Sequence, residues 1–396
     1  MGVVTSASDT TDTSTSEPTD TTPTSMASEG TNSVTTDTTG VTTDSTGETT
    51  DSTGSTGETS GSTGETSDST GVTTGTTGTD SLPAPCAGGD QFIHEDFTDI
   101  NLRCAVDQAI EKIENPDCMF TCAAAQALTE LDASGKAVAD TTGIRHLVNL
   151  TSLRLSDNEI TAIEDLHTLT KLTKLFLYNC EITSAAGLDA VTELQELYLY
   201  SNNIDSAAVL PAFQKLTILA LGSNKLTSLD GFPVLPTLGR LELGSNQDLS
   251  SSSLKILETQ TPALMQLYLD DINLTSPGDV PHLDNLEVLN IGENGLLSLA
   301  GLYAFQKLED LQLYGNSLTT VSELDSVSLV LDVLDISDNS LTSEGLLNLS
   351  KQLWLDSGDM VYVGGNDFPC GQPFDDALAN FMTANVSLNP DPLTCI

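Results

Sequence analysis

The stretch Leu150-Thr151-Ser152-Leu153-Arg154-Leu155-Ser156-Asp157-Asn158-Glu159-Ile160 decides the fold. Twenty-two residues on, Leu172, Leu175, Leu177 and Ile182 hold the same places, with Cys180 standing where the asparagine was. The frame returns as Leu194, Leu197, Leu199, Asn202, as Leu216, Leu219, Leu221, Asn224, and as Leu238, Leu241, Leu243, Asn246. A step of 26 residues leads to Leu264, Leu267, Leu269, and further units start at Leu286, Leu308 and Leu331. A worn first unit reads Leu128, Leu131, Ala133, Val138, and a worn last one reads Val361, Val363, Asn366, Phe368. Within each unit the strand leucines lie two apart, so they point to one side while the residues between them face the other. The asparagine turns the chain, and its amide can bond backbone groups that would otherwise go unpaired. No unit buries its own leucines; stacking on its neighbours does.

Recurrence at this period is the leucine-rich repeat, L-x-x-L-x-L-x-x-N-x-L. It predicts an α/β solenoid with a curved parallel sheet of about ten repeats, roughly 50 Å long at about 4.8 Å per strand. The second half of each unit, as at Ile163, Leu166 and Leu169 or at Leu229 and Phe232, supplies the outer wall. Two units depart from the frame. The one from Leu238 carries an insert around Ser250–Ser253 and is expected to bulge outward; the one from Leu264 has Ile272 where the asparagine belongs, with Asn273 one place late.

Outward from the repeats the composition changes. Residues 1–80 hold 44 Ser and Thr, 11 Gly, no aromatic residue and no Lys or Arg. Such a segment has too little apolar surface to offset backbone entropy of about 1–2 kcal/mol per residue. Residues 1–85 therefore read as a disordered acidic tail, either a stalk that holds the folded part away from a surface or an inert solubilising segment. The tail carries 13 acids; the remainder has 44 acids against 13 bases, a net charge of −31. A chain this acidic repels phosphate backbones and anionic membranes, which argues against nucleic-acid binding. No run of about 18 apolar residues marks a transmembrane helix. The first residues lack the basic and apolar regions of a secretory leader, and Gly2 with Ser6 matches the short N-myristoylation pattern. A leader missing from this chain is the expected reason.

Between the tail and the repeats, residues 86–127 read as a helical N-terminal cap, with the amphipathic run Phe97-Thr98-Asp99-Ile100-Asn101-Leu102-Arg103-Cys104-Ala105-Val106 at its centre. Followed by Leu128–Gly135 and Thr142–Leu153, this cap resembles that of the bacterial internalin-like leucine-rich-repeat proteins with 22-residue repeats. The resemblance covers about residues 92–366 and implies a solenoid over residues 128–366 that binds rather than catalyses. The tail looks like those of secreted or lipid-anchored proteins, which implies a tether to the cell envelope. Residues 367–396, with Cys370 and the distant Cys395, look like a leucine-rich-repeat C-terminal flank. That likeness implies a disulfide-stabilised cap closed by Cys370 and Cys395.

Six of the seven cysteines lie at the two ends: Cys86, Cys104, Cys118, Cys122, Cys370 and Cys395. That segregation fits disulfides and an oxidising compartment. The four N-cap cysteines allow three pairings, and spacing does not choose among them. Cys118-x3-Cys122 also has a zinc-like gap but no second pair to complete a site. Cys180, at an asparagine position, reads as buried and free. The four histidines share no unit with a nucleophile, so no catalytic triad is expected. Asp270-Asp271 lacks the spacing of a calcium loop and reads as a solvated face. No cofactor and no metal are expected.

The alternation fixes the residues on the concave face. Between the strand leucines stand Arg154, Phe176, Tyr198, Ala220, Glu242, Tyr268, Asn290, Gln312, Asp335 and Tyr362. After the second leucine stand Ser156, Tyr178, Tyr200, Gly222, Gly244, Asp270, Gly292, Tyr314, Ser337 and Gly364. Six of the seven tyrosines fall in these columns, and only Tyr303 does not. Tyr offers large contact area at low entropy cost, which suits a binding face; mutual stacking along the ladder is the structural alternative. The expected ligand-binding residues are Arg154, Phe176, Tyr178, Tyr198, Tyr200, Glu242, Tyr268, Asp270, Tyr314 and Tyr362. The expected protein is a monomeric, non-enzymatic, extracellular or envelope-associated binder of a protein or glycan. An intracellular scaffold that regulates an enzyme is the rival reading.

Overall fold

The computed structural model describes residues 85–111, 116–326, 331–352, 355–389 and 393–395. Nearly all of the acidic tail, with its stalk reading and its acylation pattern, lies outside them. Twelve strands form one parallel sheet in chain order. They are β1 (Glu130–Asp132), β2 (Ser152–Arg154), β3 (Lys174–Phe176), β4 (Glu196–Tyr198), β5 (Ile218–Ala220) and β6 (Arg240–Glu242). Then come β7 (Gln266–Tyr268), β8 (Val288–Asn290), β9 (Asp310–Gln312), β10 (Val333–Asp335), β11 (Met360–Tyr362) and β12 (Ser387–Asn389). The register sets Leu153 on Leu175, Leu175 on Leu197, Leu197 on Leu219 and Leu219 on Leu241. All five are fully buried, each burial favouring the fold by about 1.5–3 kcal/mol. Short 3₁₀ turns such as Glu164–Thr168 and Leu302–Ala304 form the outer wall. The expected bulge is helical: a 3₁₀ turn over Ser251–Ile256 runs into a short helix, Leu257–Gln260.

An asparagine ladder joins the repeats. Asn246 Nδ2 donates to the Leu243 carbonyl of its own repeat and to the Leu221 carbonyl of the repeat before. Its Oδ1 accepts the Leu226 N–H. Asn158, Asn202, Asn224, Asn316 and Asn339 do the same one repeat at a time. Each therefore satisfies backbone groups that no β-ladder reaches. The residue before it takes a left-handed conformation, as at Asp157 (φ 58°), Ser201 (φ 55°) and Ser245 (φ 55°). Cys180 fills its rung with the thiol, which reaches the Leu155 carbonyl at 3.4 Å, and it is free and buried. Burial pushes its thiol pKa up, so it stays a protonated packing group. At the irregular unit, Ile272 is buried and Asn273 turns outward to donate to the Gln247 carbonyl.

Both ends are closed. In the N-cap, helix α1 (Ile100–Glu111) buries Leu102, Ala105 and Val106, and α2 (Cys122–Ala127) buries Cys122 and Ala125. Disulfides pair Cys86 with Cys122 and Cys104 with Cys118, one of the three pairings the sequence allows. Cys118 and Cys122 thus belong to different bridges and do not form a metal-ligand pair. Asp99 joins cap to solenoid: one carboxylate oxygen accepts from Asn101 and Leu102 at the start of α1, the other from Ala139 and Asp140 of the first repeat. At the other end Cys370 pairs with Cys395. The helix Gln372–Ala384 buries Phe374, Ala377 and Phe381 over the last repeats. The final strand, β12, follows that helix and pairs with β11, so the sheet runs beyond the last unit the repeat pattern marks.

Candidate functional site

Register and ring size build the first cluster. Phe176 and Tyr198 are direct partners on β3 and β4. Their rings stack with centroids 4.8 Å apart and planes within 5°. One column on, the rings of Tyr178 and Tyr200 stack at 4.5 Å and 5°. Strands about 4.8 Å apart bring neighbouring rings to stacking distance without distortion. The Arg154 guanidinium caps the first stack, 3.8 Å from the centroid of Phe176. Lys174 and Glu196 pair across the same strands at 2.9 Å. Burial, followed by the neighbouring Tyr178 and the Asp157 and Glu242 carboxylates, pushes the Tyr200 hydroxyl far above its ordinary pKa.

A second cluster stands on β6 to β9. Arg240 Nε meets Glu242 Oε1 at 2.7 Å, and its guanidinium lies 4.8 Å from the centroid of Tyr268. Asn290 Nδ2 lies 3.3 Å from Asp270 Oδ1 and 3.4 Å from the Tyr314 hydroxyl. Asn290 Oδ1 accepts the Gly292 N–H at 2.9 Å. Burial raises the Asp270 carboxyl, with Glu293, Asp271 and Glu242 adding to it. Burial also pushes the Tyr314 hydroxyl up to about 12.

The small residues between the clusters are not all open floor. Asp270 leans back over Gly244: a Cβ there would stand 2.6 Å from its carboxylate oxygens. The Tyr314 ring folds over Gly292, 2.6 Å from where a Cβ would be. Ala220 is fully buried as well, so the open floor narrows to the half-buried Gly222. Of the expected site residues, Arg154, Phe176, Tyr178, Tyr198 and Tyr200 form one cluster, and Glu242, Tyr268, Asp270 and Tyr314 contribute to the other. Tyr362, beside Asp335 on β10 and β11, belongs to neither.

Sequence reasoning missed Arg240 and Asn290. Arg240 stands before the strand leucine, in a third outward column that reads Lys174, Glu196, Ile218, Arg240, Gln266; reading that column finds it. The first column already sets Asn290 on the face, but its role depends on which way Asp270 and Tyr314 fold. His146 was missed as well: it is buried in the cap joint, where Nδ1 accepts the Cys86 N–H at 2.8 Å and Nε2 meets Asp96 at 3.1 Å. Among the described residues no group of three His, Cys, Asp or Glu side chains could hold a metal ion, and no helix is long and apolar enough to cross a membrane. The arrangement offers aromatic surface, fixed guanidinium groups and partly buried carboxylates, which are groups of recognition.

A family model for leucine-rich repeats in two copies matches residues 148–190. No curated protein matches the chain in sequence. Among solved structures, the functional domain of InlJ from Listeria monocytogenes is 22% identical with a TM-score of 0.51. The match covers 78% of this chain and 62% of that one, so the chain spans less than two thirds of the InlJ domain. An internalin (inlF) from Listeria monocytogenes is 23% identical with a TM-score of 0.48, over 79% of this chain and 99% of that one. A leucine-rich-repeat protein of Leptospira interrogans is 21% identical with a TM-score of 0.46, over 67% and 78%. In fold, the chain is a leucine-rich-repeat solenoid similar to that of the InlJ functional domain.

Proposed function

We propose that this chain is a non-enzymatic binding protein that recognises a protein partner on its concave face, outside the cytoplasm. The observation that carries the reading is the aromatic block of Phe176, Tyr178, Tyr198 and Tyr200 on two adjacent strands. Rigid tyrosines on a sheet are typical recognition anchors, with little entropy left to lose. A protein suits the block better than a glycan does. Sugars stack on open ring faces, and here four of the eight faces turn on each other and the Arg154 guanidinium covers a fifth. Three disulfides in the caps support an oxidising compartment; an intracellular scaffold would hold these cysteines as thiols.

The test is capture of a surface-exposed ligand by the immobilised chain, compared with Tyr198→Ala/Tyr200→Ala. Truncating hot-spot tyrosines costs about 2 kcal/mol or more, roughly thirtyfold in affinity. Loss of capture on that scale is the expected result. Undiminished capture by the variant places the binding surface elsewhere.

A further inference from the structure

We infer that the gap over Gly222 is a slot for a cationic side chain, an arginine of a basic protein partner, held between the Tyr200 ring and the Asp270 carboxylate. This rests on the concave-face reading and specifies its chemistry. Tyr178 covers one face of the Tyr200 ring from the β3 side. On the β5 side the same column holds Gly222, then Gly244, and neither carries a side chain. Beyond them Asp270 leans back until its carboxylate stands over Gly244. Ring and carboxylate are therefore about two strand steps apart, roughly 10 Å. A cation resting on the ring at the 3.8 Å that Arg154 keeps from Phe176 stands about 6 Å from the carboxylate on its other side, close enough for charge attraction across the slot though not for a direct hydrogen bond. Asn290 holds Asp270 in that pose through the Oδ1 contact.

The face itself shows which cation suits it. Arg154 stacks on Phe176, and Arg240 stacks on Tyr268 while pairing with Glu242. Two guanidinium groups of the chain are thus already seated on its aromatic rings, one of them against a carboxylate. A planar guanidinium can stack on a ring and bond a carboxylate at once, which an ammonium does less well. Charge complements the choice: 57 acids against 13 bases draw a basic partner toward the chain and repel an acidic one.

Attraction to so acidic a chain is general, so the test must separate the slot from the field. A fluorescein-labelled octapeptide of alternating glycine and arginine is titrated onto the full chain at about 0.15 M salt, where distant charges are screened. Its lysine and citrulline counterparts serve as probes of charge without the guanidinium plane and of shape without charge. The arginine peptide is expected to bind most tightly and the citrulline peptide least. Asp270→Asn, and Gly222→Leu, which fills the slot, should each weaken the arginine peptide about tenfold. Asp189→Asn, an exposed acid in the outer-wall half of its repeat, should change it less than about twofold.

Equal losses in all three variants, or equal binding of the citrulline peptide, overturn the slot. A Cβ at Gly222 meets the Gly244 carbonyl oxygen at 3.1 Å, so the leucine variant is checked by melting, and Asp270→Asn decides alone if it does not fold. The two readings fail separately. If Tyr198→Ala/Tyr200→Ala loses surface-ligand capture while both slot variants keep their arginine-peptide affinity, the face stands and the slot falls. If the tyrosine variant keeps capture, the face reading falls whatever the peptides do.

Discussion

On the inward side of β4, Leu197 lies fully buried between Leu175 and Leu219. On the outward side of the same strand, Tyr198 has Phe176 on one flank and Ala220 on the other. The interior must repeat, because each unit is packed against copies of itself and a change of volume at one step leaves a cavity or a clash at the next. The outward face meets solvent, so nothing requires one rung to match another. Period therefore encodes the fold, while departure from period encodes the site.

The largest expected effect lies inside. Asn246 is 1% exposed and bonds the Leu221 and Leu243 carbonyls and the Leu226 N–H. Asn246→Ala strands these groups at about 1–3 kcal/mol each and should cost about 4 kcal/mol in denaturant unfolding. A loss under about 1 kcal/mol would mean that water replaces the rung and that the ladder is not what joins the repeats.

Next comes the end of the stack, where the interior has no neighbour. Removing the Cys370–Cys395 bridge as a double serine variant should cost about 3 kcal/mol in the chain-entropy model. Non-reducing peptide mapping should recover that cross-link together with Cys86–Cys122 and Cys104–Cys118, and Cys180 as a thiol. A different N-cap pairing would undo the account of how α1 and α2 close the first repeat.

Outward changes should move stability little. Tyr178→Ala removes one stacked pair and is expected to cost about 0.2–1 kcal/mol. A cost comparable to that of a buried leucine, about 2–5 kcal/mol, would make the stack part of the core and erase the contrast between the two faces.

The smallest effect has a pH signature. Burial raises the Asp270 carboxyl above its ordinary value of 3.8. The folded state then disfavours the ionised form, so the carboxylate works against folding above the folded-state pKa. That penalty disappears as the pH falls below the unfolded value. Asp270→Asn should melt slightly higher than the parent near pH 7, and the gain should shrink to nothing as the pH is lowered toward about 4. A variant that melts lower near neutrality would show that the carboxylate stabilises the face instead of being held there at a cost.

The leucine frame at 22-residue spacing made strands, facing and order legible before any coordinates, because each rule acts locally and recurs. β12 was not legible: Ser387-Leu388-Asn389 has one apolar residue and no frame, and it joins the sheet only through β11 and the helix before it. The N-cap cysteine pairing was not legible either, since Cys118 and Cys122 are close in sequence but bond to different partners, Cys104 in α1 and Cys86 ahead of it. In the candidate site, the outward columns named the aromatic residues and the spacing of the strands implied their stacking. The lean of Asp270 over Gly244 and of Tyr314 over Gly292 depends on side-chain rotamers and on Asn290 between them. No periodic rule reaches those choices.

The claim that the interior holds the fold while the sheet face holds recognition is tested most directly by one crossed measurement. Ligand capture and thermal melting are read on Asn246→Ala and on Tyr198→Ala/Tyr200→Ala, with capture assayed below the lower melting point. The account predicts that the asparagine variant melts well below the parent yet still captures, and that the tyrosine variant melts within a few degrees of it and no longer captures. A tyrosine variant that captures normally while melting lower would contradict it.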